Sequence, residues 1–231
     1  NETSTQVPGN ALDGVVRTLN APRIDAISPA VAARGQRLTV SGRGFVATDP
    51  AFQAATLIRL EGEFTARQMS ESITLKGATA LALFPDSVVD NTSMDYILRV
   101  TQTPSGELEG LGLFAGDFVG TVRPMLISGA TTIVGDGADF ALTVALQRQI
   151  VFVKYLPGFA STVAEMGLGH VEGLVRQRIM ANVARDYDGV NIEFREQRPA
   201  DFVEYSIVEV GGADPNQQGL FGLDNTQGKD V

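Results

Sequence analysis

The chain has 231 residues, of which 44% are hydrophobic and 19% are charged, and its formal net charge is −9. This composition is typical of a chain that folds around a buried core, and an acidic chain without a basic run is not expected to bind nucleic acid. A single histidine and the absence of cysteine exclude thiol nucleophiles, iron–sulfur clusters, disulfides and a three-histidine zinc site.

The first segment, residues 1–21, is polar and carries a short apolar cluster near its end. We interpret it as a leader segment that is at most locally docked. Its start lacks an initiator methionine and a signal peptide, which is typical of a processed or trimmed end. No run in the chain approaches the roughly 18 consecutive apolar residues needed to cross a bilayer, so we expect no membrane span.

From residue 22 to about residue 156, short apolar stretches alternate with polar residues and are separated by Gly, Pro, Asp and Asn. Alternation with period two indicates half-buried β-strands, and many short strands indicate a sandwich. The expected strands lie at 23–28, 36–42, 54–61, 71–76, 79–84, 94–102, 111–121, 125–128, 139–146 and 149–155.

A weak internal echo runs through this β region. The tripeptides GEF at 62–64 and GAT at 77–79 return as GDF at 116–118 and GAT at 129–131. Two copies suggest two similar β units, although chance recurrence of common tripeptides explains the pattern equally well. The turn residues at 104–106 lie between the copies, so we expect one unit over 22–103 and a second over 104–156.

After residue 156 the apolar period changes to that of a helix. An amphipathic helix is predicted over 170–187, followed by strands at 190–196 and 203–210. Its apolar stripe contains Val171, Leu174, Val175, Ile179, Val183 and Tyr187. Residues 157–231 are therefore expected to form a small α+β unit.

Two runs near the start of the β region, PRIDAISP at 22–29 and RGQRLTVSGRGF at 34–45, resemble the opening of an IPT/TIG domain, a family of immunoglobulin-like sandwiches. The resemblance implies that glycines before Phe45 permit a bulge and that Phe45 enters the core. It implies an exported bacterial surface protein. The expected fold class is therefore mainly β, with one or two immunoglobulin-like β-sandwich units followed by the small α+β unit with its one long helix.

The last part of the chain resembles a second family. The runs VARDY at 183–187, VNIEF at 190–194, PADF at 199–202 and YSIVEVGG at 205–212 are similar to the first half of a metzincin-like zinc metallopeptidase domain. That family carries its zinc ligands on a later helix with the motif HExxHxxGxxH, which does not occur in this sequence. The resemblance therefore transfers no catalytic residue.

Two further features could suggest chemistry, and each has a structural explanation that we favour. His170 precedes the predicted helix, but no Ser or acidic partner stands at a recognisable catalytic spacing from it. The glycine-rich run at 110–120 lacks the GK[ST] ending of a phosphate loop, so a strand with a bulge is expected there.

Acidic and amide side chains in the Gly-rich tail offer hard oxygen ligands for Ca²⁺. Such residues are also typical of metal-free turns, which we favour, and calcium stays as the alternative. The candidate calcium ligands are Asp214, Asn216, Asp224, Asn225 and Asp230. A second acidic group, Asp86, Asp90 and Asp95, is expected to be a solvated strand connection.

These features favour a non-catalytic extracellular or cell-surface protein that acts as a spacer, an assembly element or a protein-binding module. Its partner would be another protein, or a second copy of the chain, joined through open strand edges. The alternative is the N-terminal fragment of a secreted zinc metallopeptidase whose HExxH helix lies beyond Val231. Apart from the calcium candidates, we expect no cofactor.

Overall fold

The structure is a computed structural model, and it divides the chain into two compact units, residues 1–147 and 148–231. The residues that it describes are 5–8, 16–48, 54–69, 72–102 and 108–212. The predicted boundary between residues 103 and 104 lies outside the described residues. The predicted start of the last unit at residue 157 differs from residue 148, because the strand at 149–155 pairs only with later strands.

The first unit is built mainly from antiparallel strands, with β4 parallel to β15 and a 3-10 turn at Gly77–Thr79. Its strands are β1 (Thr5–Pro8), β2 (Val16–Leu19), β3 (Arg23–Ser28), β4 (Val31–Ala32), β5 (Arg37–Arg43), β6 (Ala54–Ala66), β7 (Ile73–Leu75), β8 (Leu81–Leu83), β9 (Ser87–Asp90), β10 (Ser93–Ile97), β11 (Thr101–Gln102), β12 (Leu108–Glu109), β13 (Gly116–Ser128), β14 (Thr131–Val134) and β15 (Ala138–Val144).

Most of these strands belong to two sheets that form a sandwich. One sheet has the order β3-β5-β10-β9, and the other has the order β4-β15-β13-β6-β7, with β8 added on β6 and β14 on β13. In sequence order these strands occupy the A-B-E-D and A′-G-F-C-C′ places of an immunoglobulin sandwich. The fold-class prediction is confirmed in that the chain is mainly β and ends in a small α+β unit with one long helix. The pairs β1-β2 and β11-β12 form separate two-stranded sheets.

The central pair of the larger sheet is β6 with β13. The two strands are antiparallel and in register along all 13 residues of each, from Gly116 opposite Ala66 to Ser128 opposite Ala54. The GEF and GDF tripeptides of the sequence echo lie on these neighbouring strands, where Phe64 stands directly opposite Phe118. GAT at 77–79 forms the 3-10 turn, and GAT at 129–131 covers the turn before β14 and its first residue. The GEF and GDF tripeptides thus belong to one sheet in this structure.

β13 continues through a proline, where the sequence pattern predicts a break between two strands. Pro124 has no N–H to donate to a neighbouring strand. On the side of β13 that faces β14 and β15, the neighbouring chain passes from β14 to β15 through Gly135–Gly137. These residues form a bulge, because Val122 pairs with Ala138 and Met125 pairs with Val134. This bulge removes the need for the missing donor, and the Gly135 N–H donates to the Pro124 carbonyl at 2.9 Å.

The core of the first unit lies between the two sheets. As the family resemblance implies, Phe45 is buried, and it follows Gly44, whose φ is +76°. The largest fully buried apolar side chains in this core, each less than 2% exposed, are Phe118, Leu60, Met94, Leu98, Leu142, Val40, Val122 and Val144.

The second unit is a three-stranded parallel sheet with two helices. Its elements are β16 (Gln149–Tyr155), α1 (Pro157–Glu165), a 3-10 turn at Gly169–Val171, α2 (Glu172–Asp186), β17 (Ile192–Arg195) and β18 (Ser206–Val210). The strand order is β17-β16-β18, and both neighbours run parallel to β16. The helices connect β16 to β17, as a parallel pair requires.

The helices differ from the prediction in two ways. α1 was not expected, because its apolar signal is limited to Phe159 and Val163, which are buried one turn apart. α2 matches the predicted helix, but none of its residues is buried. Within the predicted apolar stripe, Leu174 is 62% exposed and Tyr187 is 48% exposed. The stripe is therefore only partly covered by the sheet.

The close approach of β6 to β13 at Gly62 and Gly120 yields a stability prediction. A Cβ at residue 120 would lie 2.1 Å from the Glu61 carbonyl oxygen and 2.6 Å from the Gly62 Cα. Because both contacts are backbone, we expect Gly120→Ala to lower the free energy of unfolding by about 3 kcal/mol. Urea denaturation followed by circular dichroism measures this. Gly137→Ala is the control, since its nearest neighbours are the Arg123 side chain at 3.4 Å or more; equal losses in both variants would contradict the prediction.

Tyr96 is expected to make the first unit less stable in strong alkali. Its side chain is buried, and burial raises the pKa of its hydroxyl from 10.0 to about 12. Below pH 10 the hydroxyl is neutral in both states, whereas between pH 10 and 12 it ionises only in the unfolded chain. Stability should fall by about 2–3 kcal/mol across this window, at about 1.4 kcal/mol per pKa unit. In Tyr96→Phe this part of the pH dependence should be missing, and identical profiles for the two proteins would refute the assignment.

Candidate functional site

A cleft in the second unit lies where its parallel strands end. β16 ends at Tyr155 and β17 ends at Arg195, so the carboxyl ends of both strands open at the same edge of the sheet. Ligands of open parallel sheets bind at this edge, and β16 is the central strand of the described sheet.

The cleft has a volume of about 410 Å³. The end of β16 and the first turns of α2 form two of its walls, and the residue after β17 supplies a carboxylate. The lining side chains and backbone come from Phe152, Lys154, Tyr155, Gly173, Arg176, Gln177 and Glu196. This lining contains aromatic rings and both charge signs but no serine, threonine or histidine.

The two cations in the cleft are each paired with their own carboxylate. The Lys154 Nζ lies 2.7 Å from Oε1 of Glu209 on β18. The Arg176 Nε donates to Oε1 of Glu172 at 2.8 Å, one turn earlier on α2. Glu196, by contrast, has no ion pair within 4 Å among the described residues. Because the cations are neutralised locally, the unpaired charge in the cleft is negative.

Aromatic rings hold the Arg176 guanidinium in place. Its Cζ lies 4.6 Å from the centre of the Tyr155 ring and 5.5 Å from the centre of the Phe159 ring. These two rings contact each other, with their centres 4.7 Å apart. Cation–π contacts of this kind stabilise a partly desolvated guanidinium, so Arg176 forms a fixed wall of the cleft.

The Tyr155 hydroxyl is the unusual group of the site. Its oxygen is buried and has no hydrogen-bond partner among the described residues. Burial raises the pKa of this hydroxyl, the carboxylate of Glu196 raises it further, and Arg176 acts in the opposite direction. A buried hydroxyl without a partner is costly in a folded protein, and such groups mark places where a ligand can bind.

An ion-pair network fixes the loop that carries Glu196. Arg195 contacts Glu193 through Nε at 2.7 Å and Asp201 through Nη1 at 2.5 Å, and its guanidinium lies over the Phe202 ring. The hydrogen bonds that Arg195 donates to Glu193 and Asp201 raise the pKa of its guanidinium. Since Arg195 stays charged and multiply bonded, the next residue, Glu196, is held at the mouth of the cleft.

Several arginines of the second unit are held by neighbouring side chains. Arg176 pairs with Glu172, and Arg195 pairs with Glu193. Arg185 pairs with Asp186, and the Arg198 Nε donates to the Tyr205 hydroxyl. Glu196 and Glu204 have no ion-pair partner in the described parts of the chain.

The residues singled out from the sequence do not form this site. His170 is exposed in the 3-10 turn before α2. The candidate calcium ligands lie outside the described residues; they are Asp214, Asn216, Asp224, Asn225 and Asp230. Among the residues that the structure describes, no group of three or more His, Cys, Asp or Glu side chains is arranged to hold a metal ion.

The second acidic group serves the sandwich of the first unit. Asp86 accepts a hydrogen bond from the Ile97 N–H at 2.6 Å and pairs with Arg99. The Thr92 hydroxyl bonds to Asp90, which lowers the pKa of that carboxyl. Asp95 pairs with Arg37 across β10 and β5 at 2.7 Å. Each of these carboxylates therefore forms hydrogen bonds or ion pairs within the sandwich.

The outer edge of β18 is the second exposed feature of this unit. Its neighbouring side chains Ile207 and Val208 are 54% and 47% exposed. Because successive residues of a strand point to opposite faces, β18 is uncovered on both faces. Only β16 pairs with β18 in the described part of the chain, so no described strand occupies its other edge.

No model of a known protein family matches this sequence, and a search of curated proteins finds no similar sequence. No helix in the described residues combines the length and the apolar character needed to cross a membrane.

The unpartnered Tyr155 hydroxyl leads to a stability prediction. Because Tyr155→Phe removes no hydrogen bond, we expect the free energy of unfolding to stay unchanged or to rise by up to about 1 kcal/mol. By comparison, Phe159→Ala removes a buried ring and should cost about 3 kcal/mol. Urea denaturation followed by circular dichroism compares the two variants. A loss above 1 kcal/mol in Tyr155→Phe would show that the hydroxyl has a stabilising partner.

Proposed function

We propose that this chain is a non-catalytic protein-interaction module that acts outside the cell or at the cell surface. In this proposal the second unit binds a partner by accepting an extended segment of that protein along the open edge of β18. The observation that carries the proposal is that β18 ends a parallel sheet while its side chains stay exposed on both faces. Parallel sheets are normally covered on both faces.

The two edges of the sheet are not equivalent. All four residues of β17 are partly covered, and its Glu193 and Arg195 side chains are tied into ion pairs. On β18, by contrast, three of the five residues are exposed. Strand addition supplies main-chain hydrogen bonds for affinity and uses alternate side chains for specificity, and β18 offers both.

The orientation of the β18 backbone identifies the groups that would bind. The Leu156 N–H donates to the Val210 carbonyl at 2.9 Å, so the polar backbone groups of Val210 face β16. Because backbone groups alternate in direction along a strand, those of Val208 also face β16. The N–H and carbonyl groups of Ile207 and Glu209 therefore face outward.

The charges beside the β18 edge indicate what kind of partner segment would bind there. The exposed carboxylates of Glu204 and Glu209 flank the edge, and Glu209 already has Lys154 as its partner. The whole chain is acidic as well. An extended segment with β-branched residues and a basic flank is the partner that suits this edge.

A second candidate function is the N-terminal part of a zinc metallopeptidase. It is favoured by the arrangement of one strand, helices and two further parallel strands, which agrees with the resemblance to a helix built on a twisted sheet. In that case later residues of a longer polypeptide, rather than a partner, would cover β18. Sequencing the parent gene for HExxHxxGxxH downstream of Val231 decides between the two candidates.

The proposal is tested by blocking the open edge. Extended peptides selected from a displayed random library on the wild-type chain should bind Ile207→Pro at least tenfold more weakly, because proline removes the outward N–H. Ile207→Ala is the matched control, since it shortens the side chain and keeps the N–H, and it should lose much less affinity. Isothermal titration calorimetry measures all three proteins.

Two results would contradict the proposal. The first is that no peptide is enriched, or that the enriched peptides bind Ile207→Pro as tightly as the wild type. The second is concentration-dependent dimerisation in analytical ultracentrifugation that Ile207→Pro abolishes, because the occupant of the edge would then be a second copy of the chain.

A further inference from the structure

The cleft at the carboxyl ends of β16 and β17 contains a charged side chain that forms no ion pair with the described residues. Lys154 and Arg176 are neutralised by Glu209 and Glu172, whereas Glu196 faces the cleft without an ion pair among the described residues. A ligand that enters the cleft therefore meets one unpaired carboxylate. This favours a cationic ligand over an anionic one.

The Tyr155 hydroxyl adds an independent polar contact. Its buried oxygen has no partner in the described residues, and the Glu196 carboxylate is near enough to act on it electrostatically. A phenolic oxygen accepts hydrogen bonds as well as donating them. Two acceptors among the lining residues suit a group with several N–H donors, as an ammonium or a guanidinium has.

The rest of the cleft suits an alkyl stem. Phe152 and Tyr155 line it with aromatic rings, and the Phe152 ring packs edge-on against Tyr205 at 6.5 Å between centres. Lysine and arginine bury their methylene stems against apolar surface while their charged ends stay in contact with polar groups. A cleft of about 410 Å³ is within the size range of small-ligand sites.

We propose that this cleft binds the side chain of a lysine or arginine residue presented by a partner protein, with Glu196 as its ionic contact and the Tyr155 hydroxyl as its hydrogen-bond acceptor. The inference deepens the proposed function and rests on it, because it assigns a basic residue to the partner. The cleft lies beside β16, whereas the proposed strand addition uses the outer edge of β18. The two contacts can therefore be tested separately.

The test titrates the ¹⁵N-labelled 231-residue chain with blocked amino acids and follows amide chemical shifts in NMR spectra. Nα-acetyl-arginine amide or Nα-acetyl-lysine amide should shift the resonances of Gly173, Gln177 and Glu196. Nα-acetyl-norleucine amide, which has an uncharged stem, and inorganic phosphate should not. Glu196→Gln should weaken binding of the basic probe at least fivefold, and Tyr155→Phe should weaken it by two- to threefold.

Glu165→Gln is the matched control, because Glu165 is an exposed carboxylate at the end of α1 in the same unit and does not line the cleft. It should leave the affinity unchanged. Equal shifts with the norleucine probe, preferential binding of phosphate, or equal losses in the Glu196 and Glu165 variants would each overturn the inference. Ile207→Pro should still bind the basic probe. If the wild-type chain binds the selected extended peptides at β18 but not the basic probe, the cleft proposal alone is refuted. If it binds the basic probe but no extended peptide, the edge proposal alone is refuted.

Discussion

The ladder between β6 and β13 is the constraint on which the first unit depends. Thirteen residues of each strand pair without a break, so the two strands set the direction and register of the larger sheet. At Gly62 and Gly120 the backbones approach so closely that a Cβ would meet backbone atoms on the other strand. Phe64 and Phe118, which stand opposite each other two residues away, then enter the core together. The glycines permit the approach, and the phenylalanines fix the face of the sheet that is buried.

In the second unit, the described helices cover the parallel sheet only in part. Its parallel sheet buries Ile150, Val151 and Val153 of the central strand, and α1 adds Phe159 and Val163. α2, however, covers the sheet without burying any of its own residues, and β18 keeps apolar side chains in solvent. A parallel sheet gains its stability from cover on both faces. A binding partner or a further segment of a longer polypeptide would each supply the cover that the described residues leave out, which is why this unit, and not the sandwich, is the proposed binding part.

Local pairing of charges decides what the cleft can recognise. A composition count finds two cations and one anion in its lining, which would suggest an anionic ligand. The structure reverses this expectation, because Glu209 and Glu172 neutralise the two cations and the remaining carboxylate has no such partner. Arg176 is further held by two aromatic rings, so it shapes the cleft more than it attracts a ligand. The same reasoning applies to the acidic group of the sandwich, Asp86, Asp90 and Asp95. Each of these carboxylates bonds to a group in a turn or on a neighbouring strand.

Periodicity in the sequence alone was enough to predict most strands, the long helix and the change from β to α+β material. β3 and β16 have the bounds expected for them, because alternation of apolar side chains is a local property. Strand pairing is not local: the continuity of β13 through Pro124 depends on a bulge in the strands beside it. The site was missed for the same reason, since Tyr155, Arg176 and Glu196 are far apart in sequence and each has an ordinary local setting. Only the parallel arrangement of β16 and β17 brings them to one edge, and only their spatial partners decide which charge is left unpaired.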